Sequence, residues 1–119
     1  MTDQIFHEDT ESIFIGSGAL SYSWWEDTRL THDYYEAKGY REAKSWCLDA
    51  SVDDTWVTIT HERVMQAVRA IVKDGHGATE VAVEECQHLL EFGPDDVDFD
   101  ADTADQVLQV AALGKVIFG

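Results

Sequence analysis

The chain has 119 residues of which 45% are apolar, a size and composition that suit one domain around one core. Against 24 Asp and Glu stand 8 Lys and Arg, giving a formal charge of -16. That balance excludes nucleic acid and anionic membranes as direct partners, because phosphate binding draws its free energy from Lys and Arg releasing counterions.

Acidity here does not mean disorder, since apolar and aromatic residues are spread along the whole chain. Two cysteines, Cys47 and Cys86, are too few for a disulfide framework. Met1 to Gln4 lead into mixed sequence with neither a leader pattern nor a membrane-length apolar run. A cytoplasmic setting is the expectation.

Ten of the thirteen aromatic residues precede residue 57, so the first half reads as strands and the second, with helical spacing of aliphatics, as helices. Ile13-Phe14-Ile15, the turn Gly16-Ser17-Gly18 and the stretch Ala19 to Trp25 read as strand, turn, strand. Thr31 to Tyr40 fits either a short helix or a long loop. Lys44 to Ala50 and Thr55 to Ile59, joined through Ser51-Val52-Asp53-Asp54, form the better hairpin.

Thr60 is placed to cap a helix that runs to about Lys73, with Val64, Val68, Ile71 and Val72 inward and Gly75 to Gly77 ending it. Thr79 opens a second helix that ends near Phe92, with Ala82, Cys86, Leu89 and Leu90 inward. A third spans Ala101 to Leu113, with Asp100 or Asp102 at its start, Ala104, Val107, Leu108 and Ala111 inward and Gly114 as its stop. Lys115 to Phe118 reads as a closing strand. The expected fold is therefore a single α+β domain, residues 1–119, with an antiparallel sheet of four to five strands and three helices packed on one side.

Asp95 to Asp102 carry clustered carboxylates, the ligands a hard cation prefers, but neither frame of a calcium loop survives. Starting at Asp98, the sixth and twelfth positions are Thr103 and Gln109; starting at Asp96, they are Ala101 and Val107. An acidic cluster complementing a helix N-terminus is the better reading. Cys86 and His88, Cys47, and the scattered His7, His32, His61 and His76 lack zinc spacing and mark no nucleophile pair. Gly16-Ser17-Gly18 lacks the Lys and glycine spacing of a nucleotide loop. Glu26 with Asp27, or Glu84 with Glu85, cannot be singled out for acid/base work among so many carboxylates. No cofactor, metal or catalytic residue is assigned.

Trp24-Trp25 and Tyr34-Tyr35 set adjacent rings on opposite faces of a strand, one buried and one partly exposed. Exposed rings among carboxylates suit a binding surface with an acidic rim; the alternative is that every ring is core.

The segments Ser21-Tyr22-Ser23-Trp24-Trp25 and Val57-Thr58-Ile59-Thr60-His61, and the tail from Asp98-Phe99-Asp100-Ala101 through Ala104-Asp105 and Leu108 to Leu113-Gly114-Lys115-Val116-Ile117-Phe118-Gly119, resemble small acidic proteins of actinobacteria, their phages and integrative elements. The resemblance brings no activity and no functional residue. It implies an accessory protein, in the bacterial host's cytoplasm, that binds and modulates a host factor. The expected function is a non-enzymatic binding protein that meets a basic protein surface with carboxylates in place of phosphates. The residues expected to carry it are Asp95, Asp96, Asp98, Asp100, Asp102, Asp105, Glu80, Glu84 and Glu85, with Trp24, Trp25, Tyr34 and Tyr35. Self-association as a homodimer is left open. The competing readings are a housekeeping domain whose charge serves only solubility, and an uncharacterised small enzyme.

Overall fold

A computed structural model describes residues 5–37 and 39–119, without the side chains of residues 35, 37 and 40–44. Among these residues three antiparallel strands pair in the order β1 (Asp27–Ala37), β2 (Tyr40–Val52), β3 (Thr55–Thr60). The period of two sorts the side chains cleanly in β2 and β3: Trp46, Leu48, Ala50 and Val52 are buried, and Ile59 sits opposite Leu48 on the same covered face. The other face presents Arg29, Thr31, Trp56 and Thr58 to solvent. There the Arg29 guanidinium lies 5.0 Å from the centre of the Trp56 ring, which is 48% exposed.

The expected β2–β3 hairpin forms, with Ser51 and Val52 belonging to β2 and not to the turn. Val52 pairs with Thr55, leaving a two-residue turn, and both of its residues take left-handed backbone: φ is 51° at Asp53 and 61° at Asp54. Such a turn matches the strand twist but strains residues with a Cβ. The double substitution Asp53→Asn, Asp54→Gly is therefore expected to raise stability by roughly 1 kcal/mol, read as a higher urea midpoint with unchanged slope.

Four α-helices accompany the sheet: α1 (His7–Thr10), α2 (His61–Asp74), α3 (Glu80–Phe92) and α4 (Ala101–Leu113). The last three begin on the expected caps. Thr60 accepts from the Arg63 amide, Thr79 from the Ala82 amide and Asp100 from the Thr103 amide. Gly114, at φ 85°, supplies the left-handed stop after α4. Helices α1, α2 and α4 touch the sheet, and α3 packs chiefly on α2 and α4.

Among the described residues the sheet thus has three strands where four to five were expected, and the short α1 joins the three expected helices. Ile13 to Ile15 belong to a π-helical turn, Glu11–Ile15, that continues α1. It closes with the Gly16 amide on the Glu11 carbonyl, and a Cβ at Gly16 would stand 2.7 Å from the Ser12 carbonyl oxygen. Ala19 to Trp25 form a 3₁₀ turn, Ala19–Ser21, and irregular chain. This whole segment is a strap across α4: Phe14, Ala19 and Trp25 are buried, and the Phe14 ring meets Phe99 edge-on at 4.9 Å. β-branched and aromatic residues here serve helix packing, and no ladder is available to them. The tail Lys115 to Phe118, expected as a closing strand, forms neither helix nor strand. The ambiguous stretch Thr31 to Tyr40 resolves as most of β1 and its turn into β2.

Helix α4 is the axis of the domain. Every residue from Thr103 to Val110 is buried, since the strap, α2, α3 and the tail enclose it. Fully buried Val107 and Leu108 each contribute about 1.5–3 kcal/mol through apolar burial. Buried Asp105, Gln106 and Gln109 must then find partners within the protein.

Candidate functional site

Helices α3 and α4 and the loop joining them carry the acidic cluster. From Gly75 to Gly114 there is no Lys or Arg, while Glu80, Glu84, Glu85, Glu91, Asp95, Asp96, Asp98, Asp100, Asp102 and Asp105 all fall in this interval. All of these carboxylates are exposed except Glu85, half-buried, and Asp105, which is 1% exposed. The loop is drawn onto α3 where Glu85 Oε2 accepts from the Asp98 amide at 3.0 Å. Glu85 and Asp98 are thereby held together, thirteen residues apart in the chain.

Asp100 and Asp102 each have a local duty. Asp100 Oδ1 accepts from the amide and from the hydroxyl of Thr103, each at 2.8 Å, and those bonds hold its carboxyl below the usual range. Asp102 Oδ2 accepts from Gln106 Nε2 at 3.3 Å, while Gln106 Oε1 accepts from the Thr79 amide at 2.8 Å.

Asp105 was expected on the partner-facing surface, and burial removes it from that role. Its Oδ1 accepts from the indole of Trp24 at 2.8 Å and of Trp25 at 2.7 Å, and its Oδ2 from Gln109 Nε2 at 2.8 Å. Gln109 Oε1 in turn accepts from the amides of Ile117 and Phe118, and its Nε2 donates to the Phe118 carbonyl at 3.0 Å. One carboxylate therefore ties the strap, α4 and the tail together. Trp24 and Trp25 lie on no strand and do not point to opposite faces. Both indoles converge on Asp105, with Trp25 buried and Trp24 half-buried.

Tyr22, Trp24 and Phe118 stack at the border of the acidic surface. The Tyr22 and Trp24 rings are 4.7 Å apart at 5°, and the Trp24 and Phe118 rings 5.6 Å apart at 7°. Desolvation, and then the fields of Asp102, Asp105 and Asp100, push the Tyr22 phenol up. Tyr34 is 40% exposed on β1, with its ring against His32 at 5.4 Å, and belongs to a different part of the molecule. The side chain of Tyr35 lies outside the described residues. Sequence reasoning missed Tyr22 and Phe118 as stack members because their contacts depend on where the tail returns.

Two of the five histidines meet in a second cluster. His7 and His61 stack at 4.2 Å, His61 Nδ1 is 2.8 Å from Thr10 Oγ1, and His7 Nε2 is 3.4 Å from Glu62. Thr10 Oγ1 also accepts from the Trp46 indole at 3.0 Å. Burial and the neighbouring His7 lower the His61 pKa. With Thr10 completely buried, the hydroxyl cannot reach a substrate, so the His61–Thr10 bond fastens α1 to α2 and is not a nucleophile pair. Cys86 is buried in α3 with its thiol pushed up to about 12 by desolvation and Glu85, an inert state. Cys47 is half-buried, and desolvation followed by Asp49 raises its thiol as well. Among the described residues no three His, Cys, Asp or Glu side chains converge in a metal-binding group, and no helix is long and apolar enough to cross a membrane.

Comparisons of the chain with protein-family models, with curated proteins and with solved structures found no match.

Proposed function

We propose that this chain is a non-enzymatic binding protein whose α3–α4 surface engages a basic surface of another protein, taking the place that phosphate groups would occupy. The observation that carries this reading is the segregation of charge. A stretch of forty residues, 75–114, exposes carboxylates from two helices and their loop without one compensating Lys or Arg. Such a surface projects a one-signed field that steers a cationic partner and raises its rate of encounter. The resemblance to phage and mobile-element proteins supports the same reading.

Moving the neutralised charges separates this function from mere solubility. One variant carries Glu84→Gln, Asp95→Asn, Asp96→Asn and Asp98→Asn; the other carries Glu8→Gln, Asp27→Asn, Asp53→Asn and Asp74→Asn, so both have the same net charge. Binding to protamine is measured by calorimetry at low and at physiological ionic strength. The α3–α4 variant is expected to lose about tenfold in affinity and the other at most about twofold, with wild-type binding weakening as salt rises. Equal losses would mean that only total charge matters, leaving the housekeeping reading in place.

A further inference from the structure

Beside the aromatic stack a cleft of about 440 Å³ opens between the start of α4 and the tail. Thr79, Asp102, Gln106, Val116, Ile117 and Phe118 line it. The chemistry of this lining is uneven. Asp102 brings a carboxylate whose Oδ2 accepts from Gln106 and whose Oδ1 has no hydrogen-bond partner among the described residues. Phe118 brings an aromatic ring, one face of which is already stacked on Trp24. Ile117, 55% exposed, adds apolar surface at the rim.

The walls are also fixed before any ligand arrives. The Val116 amide donates to the His76 carbonyl at 3.0 Å, the Ile117 and Phe118 amides to Gln109, and the Thr79 amide to Gln106, which in turn donates to Asp102. A site whose parts are held by their own bonds loses little conformational freedom on binding. A carboxylate, an aromatic ring and an apolar side chain lining one cleft match a planar cation on an aliphatic stem.

We infer that this cleft receives an arginine side chain of the basic partner, an inference that rests on the proposed function and names the group it recognises. The guanidinium lies on Phe118 as a fourth layer on the Tyr22, Trp24, Phe118 stack, donates an N–H to Asp102 Oδ1, and its methylene stem follows Ile117. Arginine is favoured over lysine because a delocalised plane stacks on a ring and keeps its edge donors free, whereas a compact, strongly hydrated ammonium does not.

Calorimetric titration with a hexa-arginine peptide and a matched hexa-lysine peptide tests this at low ionic strength. Hexa-arginine is expected to bind several-fold tighter than hexa-lysine. Asp102→Asn should weaken hexa-arginine about tenfold, through loss of a charge-assisted bond. Phe118→Leu, which keeps the backbone bonds to Gln109 and an apolar side chain, should weaken it about threefold and erase the preference for arginine. Glu8→Gln, exposed on α1 and outside the α3–α4 surface, serves as the control for one lost surface charge and should cost less than about twofold. Far-UV circular dichroism of each variant checks that it is folded. Equal affinities for the two peptides, or equal effects of Asp102→Asn and Glu8→Gln, would overturn the arginine seat while leaving a general acidic surface intact. Failure of wild-type protein to bind either peptide would instead remove the proposed function itself.

Discussion

Asp105→Ala is expected to lower the unfolding free energy by about 3–5 kcal/mol, enough to bring a domain of ordinary stability close to its limit. The carboxylate is 1% exposed and satisfies two indole N–H groups and one amide, so its removal strands two buried donors, on Trp25 and Gln109, and a part-buried one on Trp24. Asp105→Asn is the sharper test because it keeps the shape. With its carbonyl toward Trp24 and Trp25, the Asn amide would face Gln109 Nε2, donor against donor. Gln109 cannot turn over to relieve this, since its Oε1 is committed to the Ile117 and Phe118 amides. A cost of about 2 kcal/mol follows, read from urea unfolding by far-UV circular dichroism. A cost no larger than that of a surface substitution, below about 0.5 kcal/mol, would contradict this network.

Gln109→Leu should cost about 2–4 kcal/mol and have a local signature besides. The side chain is completely buried and is the group through which α4 holds the tail, so the amides of Ile117 and Phe118 lose their acceptor. Hydrogen exchange at these two amides is expected to rise toward unprotected rates while the centre of α4 stays protected. Gln109→Glu should fare no better, because it sets a second carboxylate against Asp105 and removes the donor to the Phe118 carbonyl. Combined with Asp105→Asn, either change is expected to fall short of additivity by about 1 kcal/mol or more, since both break the same bond. Tail amides that remain protected in Gln109→Leu would show that another contact holds the segment.

What could be read from the sequence was what neighbouring residues decide among themselves. Thr60, Thr79 and Asp100 cap helices within three residues of themselves, Gly114 stops one, and Asp53-Asp54 turns a hairpin between two alternating runs. The exposed acidic residues of α3 and the following loop were likewise visible, and so was buried Cys86. Ile13 to Trp25 misled because β-branched and aromatic residues are as useful in a strap over a helix as in a strand, and only the partner distinguishes the two. β1 was obscure for the opposite reason: Asp27, Arg29, Thr31 and Asp33 alternate with Thr28, Leu30, His32 and Tyr34, a row only weakly apolar. Asp105 looked like one more surface carboxylate because its two indole donors lie 81 and 80 residues away in the chain. A faint sign was present: between Thr103 and Leu113 the helix has no basic residue and only one acidic one, the composition of a helix enclosed on all sides.

The parallel stack of Tyr22, Trp24 and Phe118 has an optical consequence. Chromophores held face to face at van der Waals range couple their electronic transitions, so the native near-ultraviolet circular dichroism of this protein should carry a signed band pair that isolated tyrosine and tryptophan lack. Because Trp24 is held by Asp105 and Phe118 by Gln109, that band pair belongs only to molecules whose strap and tail are both seated. The chain thus has a built-in chiroptical gauge of its own closure.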